Sequence, residues 1–140
     1  MFKILRQAYD DYLGIFVFIV TLTSSIDDDQ DGVCPGDTVV FTCVADTEQL
    51  QWGNDDGDTK LYNSPSQVNE RAVVKLGGIF ILKLINASNS TFVSTATVDN
   101  VSLNDDGVNI TCTDDFNNPD DNSEMESITI GLYINVRKLH

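Results

Sequence analysis

A chain of 140 residues, 41% of them hydrophobic, has room for one domain with a core of its own. Its 22 acidic and 8 basic residues give a net charge of −14, which argues against nucleic acid and against anionic membrane surfaces as partners. Three cysteines without a Cys-x-x-Cys and one histidine at the last position give no zinc spacing and no nucleophile–histidine pair, so neither a cofactor nor a catalytic centre is expected.

Residues 1–25 read as a secretory signal peptide. Lys3 and Arg6 supply the positive start, Tyr12 to Leu22 the apolar core, and Thr23, Ser24 and Ser25 the small residues for cleavage, although Asp10 and Asp11 are unusual in a leader. The apolar run is short of the roughly 20 residues that cross a bilayer, so an uncleaved anchor ranks second and a buried strand third. The mature domain is accordingly expected at 26–140, secreted or on the extracellular face of the plasma membrane. Four Asn-x-Ser/Thr sequons, at Asn86, Asn89, Asn100 and Asn109, agree with export.

Asp27, Asp29 and Asp31, followed by Gly32, match the first half of a calcium loop. The twelfth position is Thr38 instead of a bidentate glutamate, so the stretch reads as a solvated acidic segment with weak calcium affinity as the minor alternative. Val33-Cys34 makes a short edge strand, and Pro35-Gly-Asp37 a turn.

From Thr38 to Cys43 apolar residues alternate, with Val39, Phe41 and Cys43 on one face, as in a half-buried strand. Trp52, the lone tryptophan, lies in the next strand, and Asn54-Asp-Asp-Gly57 is a hairpin signal leading to Thr59–Tyr62. Val73 to Ile85 is apolar and split by Gly77-Gly78 into two short strands. Phe92–Val98 follows with Ala96 and Val98 inward, and after the turn Asn104–Gly107 a strand carries Val108, Ile110 and Cys112 on one face. Residues 113–126 form an acidic loop with Asp114, Asp115, Phe116, Asp120, Asp121 and Glu124. The last strand alternates Ile128, Ile130, Leu132, Ile134 and Val136 with Thr129, Gly131, Tyr133 and Asn135.

Short strands with a turn about every ten residues and a Cys43…Trp52…Cys112 pattern resemble the immunoglobulin superfamily. The residues that carry the resemblance are 35–43, 50–52, 92–98 and 101–112, and it spans roughly 31–137. The separation of the two cysteines is similar to that of variable-type domains. Ile110 stands where the family usually has a tyrosine, and the loop before Trp52 is short, so the domain looks divergent. The resemblance implies an all-β, two-sheet immunoglobulin-like sandwich with Greek-key connections. It also implies a Cys43–Cys112 bridge covered by Trp52, and a structural salt bridge from Asp106, with Arg71 as a candidate partner.

The leftover Cys34 is open to two readings, a free buried thiol or, as the sharper one, an intermolecular disulfide that joins a homodimer. In a variable-type sandwich the acidic stretch 27–31 and the 113–126 loop would share one end. That end would steer a basic protein or collect calcium loosely. Phe116 would either anchor a partner or fold back over the sandwich. The function expected by analogy is extracellular recognition or adhesion, with a protein or glycan ligand bound through the 113–126 loop or the sheet face that holds it. A membrane would be engaged only through an anchor beyond this sequence. A secreted acidic calcium- or matrix-binding protein and a soluble decoy or humoral effector are the alternatives.

Overall fold

Period-two burial runs through the chain and sorts its side chains to the two faces of each strand. The computed structural model describes residues 3–8, 18–25, 33–70, 74–88, 90–114 and 127–134. The strands are β1 (Lys3–Ala8), β2 (Phe18–Ser24), β3 (Val39–Ala45), β4 (Leu50–Asn54), β5 (Thr59–Tyr62), β6 (Val74–Leu76), β7 (Phe80–Ala87), β8 (Phe92–Val98), β9 (Asn109–Thr113) and β10 (Ser127–Gly131). They form one sheet in the order β1-β2-β3-β8-β7-β6 and another in the order β10-β9-β4-β5. Every paired strand is antiparallel, and one isolated parallel bridge joins Val33 to Ile134.

β3 and β8 show why the sheets pack face to face. Val39, Phe41, Cys43 and Ala45 point inward on β3, and Phe92, Ser94, Ala96 and Val98 do so on β8. The other sheet answers with Leu50, Trp52, Ile110, Cys112, Ile128 and Ile130, all in the same continuous core. Stripes of this kind on two sheets leave water only by meeting each other. Within one sheet Phe41 and Phe80 meet edge to face, their ring centroids 6.0 Å apart.

Two further contacts cross the core. Cys43 and Cys112 are disulfide-bonded, with Cα atoms 6.4 Å apart and a sequence separation of 69. A loop of that length makes the bridge worth about 4 kcal/mol in the chain-entropy model. Trp52, fully buried, is the register neighbour of Cys112. Its indole Nε1 donates to Ser94 Oγ at 2.8 Å, and that hydroxyl donates on to the Lys83 carbonyl at 2.7 Å. The buried N–H of the indole is thereby satisfied from the opposite sheet, which removes the desolvation cost of an orphaned donor.

Three local outcomes differ from the sequence reading. Phe18–Ser24, placed inside the leader, forms β2, pairs with β3 and buries Val20 and Leu22 completely. Val33-Cys34 is a single bridge at Val33 and no strand, because Asp37 folds the chain back: its carboxylate accepts from Cys34 N while its own N–H donates to the Cys34 carbonyl. The final strand stops at Gly131, after which Leu132 exchanges backbone hydrogen bonds with Val108 and Gly107. The paired glycines do form the β6–β7 turn. Gly77 has φ +61°, and a Cβ there would collide with the Asn54 side chain, so only glycine lets this turn lie against the β4–β5 hairpin.

Candidate binding face

The alternation that buries one face of β9 and β10 fixes what the other face shows. Asn109, Thr111 and Thr113 point outward on β9, and Thr129 and Gly131 on β10. On the next strand Gln51 stands opposite Thr113 and Leu61, while Gly53 stands opposite Thr111 and Thr59. No outward position on these four strands carries a charge, in a chain with 22 acidic and 8 basic residues. The Thr111 and Thr129 hydroxyls bond each other at 2.6 Å, so the centre of the face has little hydrogen-bonding demand left.

At one end of this face stands Tyr133, 63% exposed. A Cβ on Gly131 would come within 2.9 Å of the Tyr133 ring and 2.9 Å of Asn109 Oδ1. The missing side chain is what lets the phenol lie over the strand. The result is a neutral, β-branched surface with an aromatic at its rim.

Hydrogen bonds from acidic side chains fix that end of the sandwich. Asp55 accepts from both Asn109 N (3.1 Å) and Asn109 Nδ2 (3.2 Å), Asp105 from Ser102 N (2.9 Å) and Asp106 from Ile134 N (2.8 Å). These carboxylates cap loose backbone donors, the common work of aspartate in turns. Asp106 therefore holds the chain after β10; Arg71, its expected partner, lies outside the described residues. An open cleft of about 240 Å³ between the β4–β5 and β6–β7 turns is rimmed by Asp55, Asp56 and Asp105. Among the described residues no group of three His, Cys, Asp or Glu converges as a metal would require.

The acidic loop expected to bind a partner is described only at its first two residues, Thr113 and Asp114. Asp114 is buried, 1% exposed, and has an interaction partner within the protein. Asp115, Phe116, Asp120, Asp121 and Glu124 lie outside the described residues, as do Asp27, Asp29, Asp31 and Asn89. The flanks of the two acidic stretches do not come together. Ser25 is tied to Val40, and Val33 to Tyr133, at the end where β3 begins, whereas Asp114 follows Thr113 at the end where β3 finishes. The reason is that β2, and not Val33-Cys34, is the strand beside β3, so residues 26–32 follow that strand's end instead of preceding its start.

Cys34 is a free thiol and half-buried. Asn86 and Asn100 are exposed, the former on β7 just after a bulge and the latter at φ 54°. Asn109 does face outward on β9, but its amide nitrogen, the atom a glycan would take, is the one that donates to Asp55. Two functional positions escaped the sequence reading. Ser94 sits in the inward register of Phe92 and Ala96, where a lone hydroxyl signals a buried donor in search of a partner. Tyr133 was noted as outward in the last strand, but the glycine two residues before it is the sign that the ring turns back along the sheet.

No helix among the described residues is long and apolar enough to cross a membrane. Comparison with protein-family models, with curated proteins and with solved structures finds no match for this chain.

Proposed function

We propose that this chain is an immunoglobulin-like binding module of divergent variable type, acting outside the cell in recognition or adhesion and without catalytic activity. The strand orders β2-β3-β8-β7-β6, with β1 added at its edge, and β10-β9-β4-β5, stapled by Cys43–Cys112 beside Trp52, support the family reading and its Greek-key connections. Export by the N-terminal segment and glycans at Asn86 and Asn100 belong to the same proposal. A homodimer linked through Cys34 is a further part of it.

The observation that carries the binding reading is the uncharged outer face of β10-β9-β4-β5 with Tyr133 at its edge. Interface centres are depleted of charge and enriched in tyrosine. On a molecule of net charge −14, a face without charge is where a second protein approaches at least electrostatic cost. The carboxylates around it then act as a rim that favours a basic approach and raises the association rate.

Immobilised protein is tested against a panel of extracellular proteins, in parallel with Thr111→Glu and with a variant whose residues 115–126 are replaced by Gly/Ser. Thr111 is outward, so the substitution leaves the core intact. Loss of capture in Thr111→Glu alone assigns the site to the sheet face, and loss in the loop variant alone assigns it to the loop. Equal capture by all three forms rejects both.

A further inference from the structure

The segment read as a leader and the segment that completes the first sheet are the same residues. On β2, Val20 and Leu22 are 0% exposed and Ser24 is 2% exposed. Five register pairs, from Val20↔Ala45 to Ser24↔Phe41, join it to β3. Ser25 continues the match, its N–H donating to the Val40 carbonyl (2.9 Å) while its hydroxyl accepts from Val40 N (3.0 Å).

Removing residues up to Ser25 would therefore do two things at once. It would open the β2 side of Phe41 and of Cys43, itself half of the disulfide, to water. It would also leave the β3 backbone groups that face β2 without partners, as an open sheet edge. A cut between Ala8 and Phe18 does neither to β3: it removes β1 and makes β2 the sheet's edge, but the core side chains Val20 and Leu22 stay in place. Such a cut leaves only Tyr12–Val17 as the apolar part of the leader, six residues against the 7–15 that a leader core needs. The two uses compete for one apolar run.

We infer that Phe18–Ser24 is retained in the mature protein as a core strand, so that any proteolytic removal of the N-terminus ends upstream of Phe18. This goes beyond the proposed binding role and does not depend on which face binds, but it bears on the export part of that proposal, since Phe18–Ser24 cannot be both core strand and removed leader. The motif that resembles a cleavage site, Thr23-Ser-Ser25, is the strand's own end: Ser24 is buried and Ser25 caps Val40. Small hydroxyl residues serve both purposes, which is why the two readings look alike in sequence.

The experiment has two arms. In the first, the full chain is produced in the bacterial cytoplasm, where no leader is removed, and thermal unfolding is compared across substitutions along β2. Leu22→Ala and Val20→Ala are expected to lower Tm by roughly 5 °C or more, as large-to-small changes in a core do, while Thr21→Ala and Thr23→Ala, which are half-exposed, shift it by no more than about 2 °C. Alanine is chosen over a charge so that the variants still fold. A flat profile across the four positions overturns the inference. In the second arm, the chain is expressed in secretory cells and the N-terminus of the oxidised, folded product is sequenced. A start at or before Phe18 supports retention. A start at Ile26 in a product with the same Tm as the full chain overturns it. Neither arm reads ligand binding, so failure here leaves the recognition role standing, and failure of capture leaves this boundary standing.

Discussion

At the scale of single residues, the polar groups inside the sandwich decide more than their number suggests. Ser94 is the only described side chain through which the Trp52 indole reaches a hydrogen bond, and it links both to the Lys83 carbonyl. Ser94→Ala leaves a buried N–H unpaired and is expected to cost about 1–3 kcal/mol. Thr95→Ala, one residue along on the half-exposed side, is expected to stay within about 0.5 kcal/mol. Urea unfolding of the two variants checks the contrast. Tyr62 offers a second test. Burial first, and then the nearby negative charge of Glu70, push its pKa up from 10.0 to about 12. Because the folded value lies above the unfolded one, the unfolded state gives up its proton first as pH rises. The stabilisation is whole below pH 10 and is lost between pH 10 and about 12. Ultraviolet titration should show Tyr62 ionising late, a signal absent in Tyr62→Phe, with Tm falling across the same window.

At the scale of elements, alternation was legible wherever one face was apolar and the other was not. β3, β8, β9 and the start of β10 fall where period two places them, and the Gly77-Gly78 turn separates β6 from β7 as read. β2 was not legible as a strand. Its half Val20–Ser24 does alternate, but it follows directly on the unbroken apolar run Ile15–Val20, and such a run after Lys3 and Arg6 fits a leader as well as a wall of the core; only pairing with β3 distinguishes them. Val33-Cys34 failed for the opposite reason. Its local pattern is extended, but Asp37 captures the Cys34 N–H and turns the chain. The binding face was half legible: the outward positions followed from alternation, but their shared lack of charge shows only when four strands are set side by side. No local window contains Gln51, Thr111 and Thr129 together. The burial of Asp114 was not legible, because an aspartate early in a polar loop looks solvent-facing in sequence.

For the molecule as a whole, the described carboxylates lie at the turns and strand ends, and the second sheet keeps its outer face neutral. Several of those carboxylates accept backbone hydrogen bonds, so part of the acidic excess is structural and not a patch held ready for a cation. The disulfide pair was readable because Cys43 and Cys112 each sit on an apolar strand face, and Cys34 because it was left over. Cys34 lies in the turn before β3, half-buried, on the side of the molecule that holds Asp37 and Val101. A dimer through it is expected to run at twice the monomer mass on a non-reducing gel and to vanish on reduction and in Cys34→Ser. A single monomer band under both conditions rejects the covalent dimer. The internal bridge is unaffected by that substitution, so Tm should not move in parallel.

Trp52 is the chain's sole tryptophan, and it is held in register beside half of the Cys43–Cys112 cystine. Disulfides accept electrons from excited indoles at close range, so the oxidised native protein is expected to emit weakly. Gentle reduction that leaves the sheets assembled should brighten it without a change in colour, and unfolding should brighten it and move the emission to longer wavelength. One fluorophore thus reports the redox state and the solvation of the core on separate axes, with no label added.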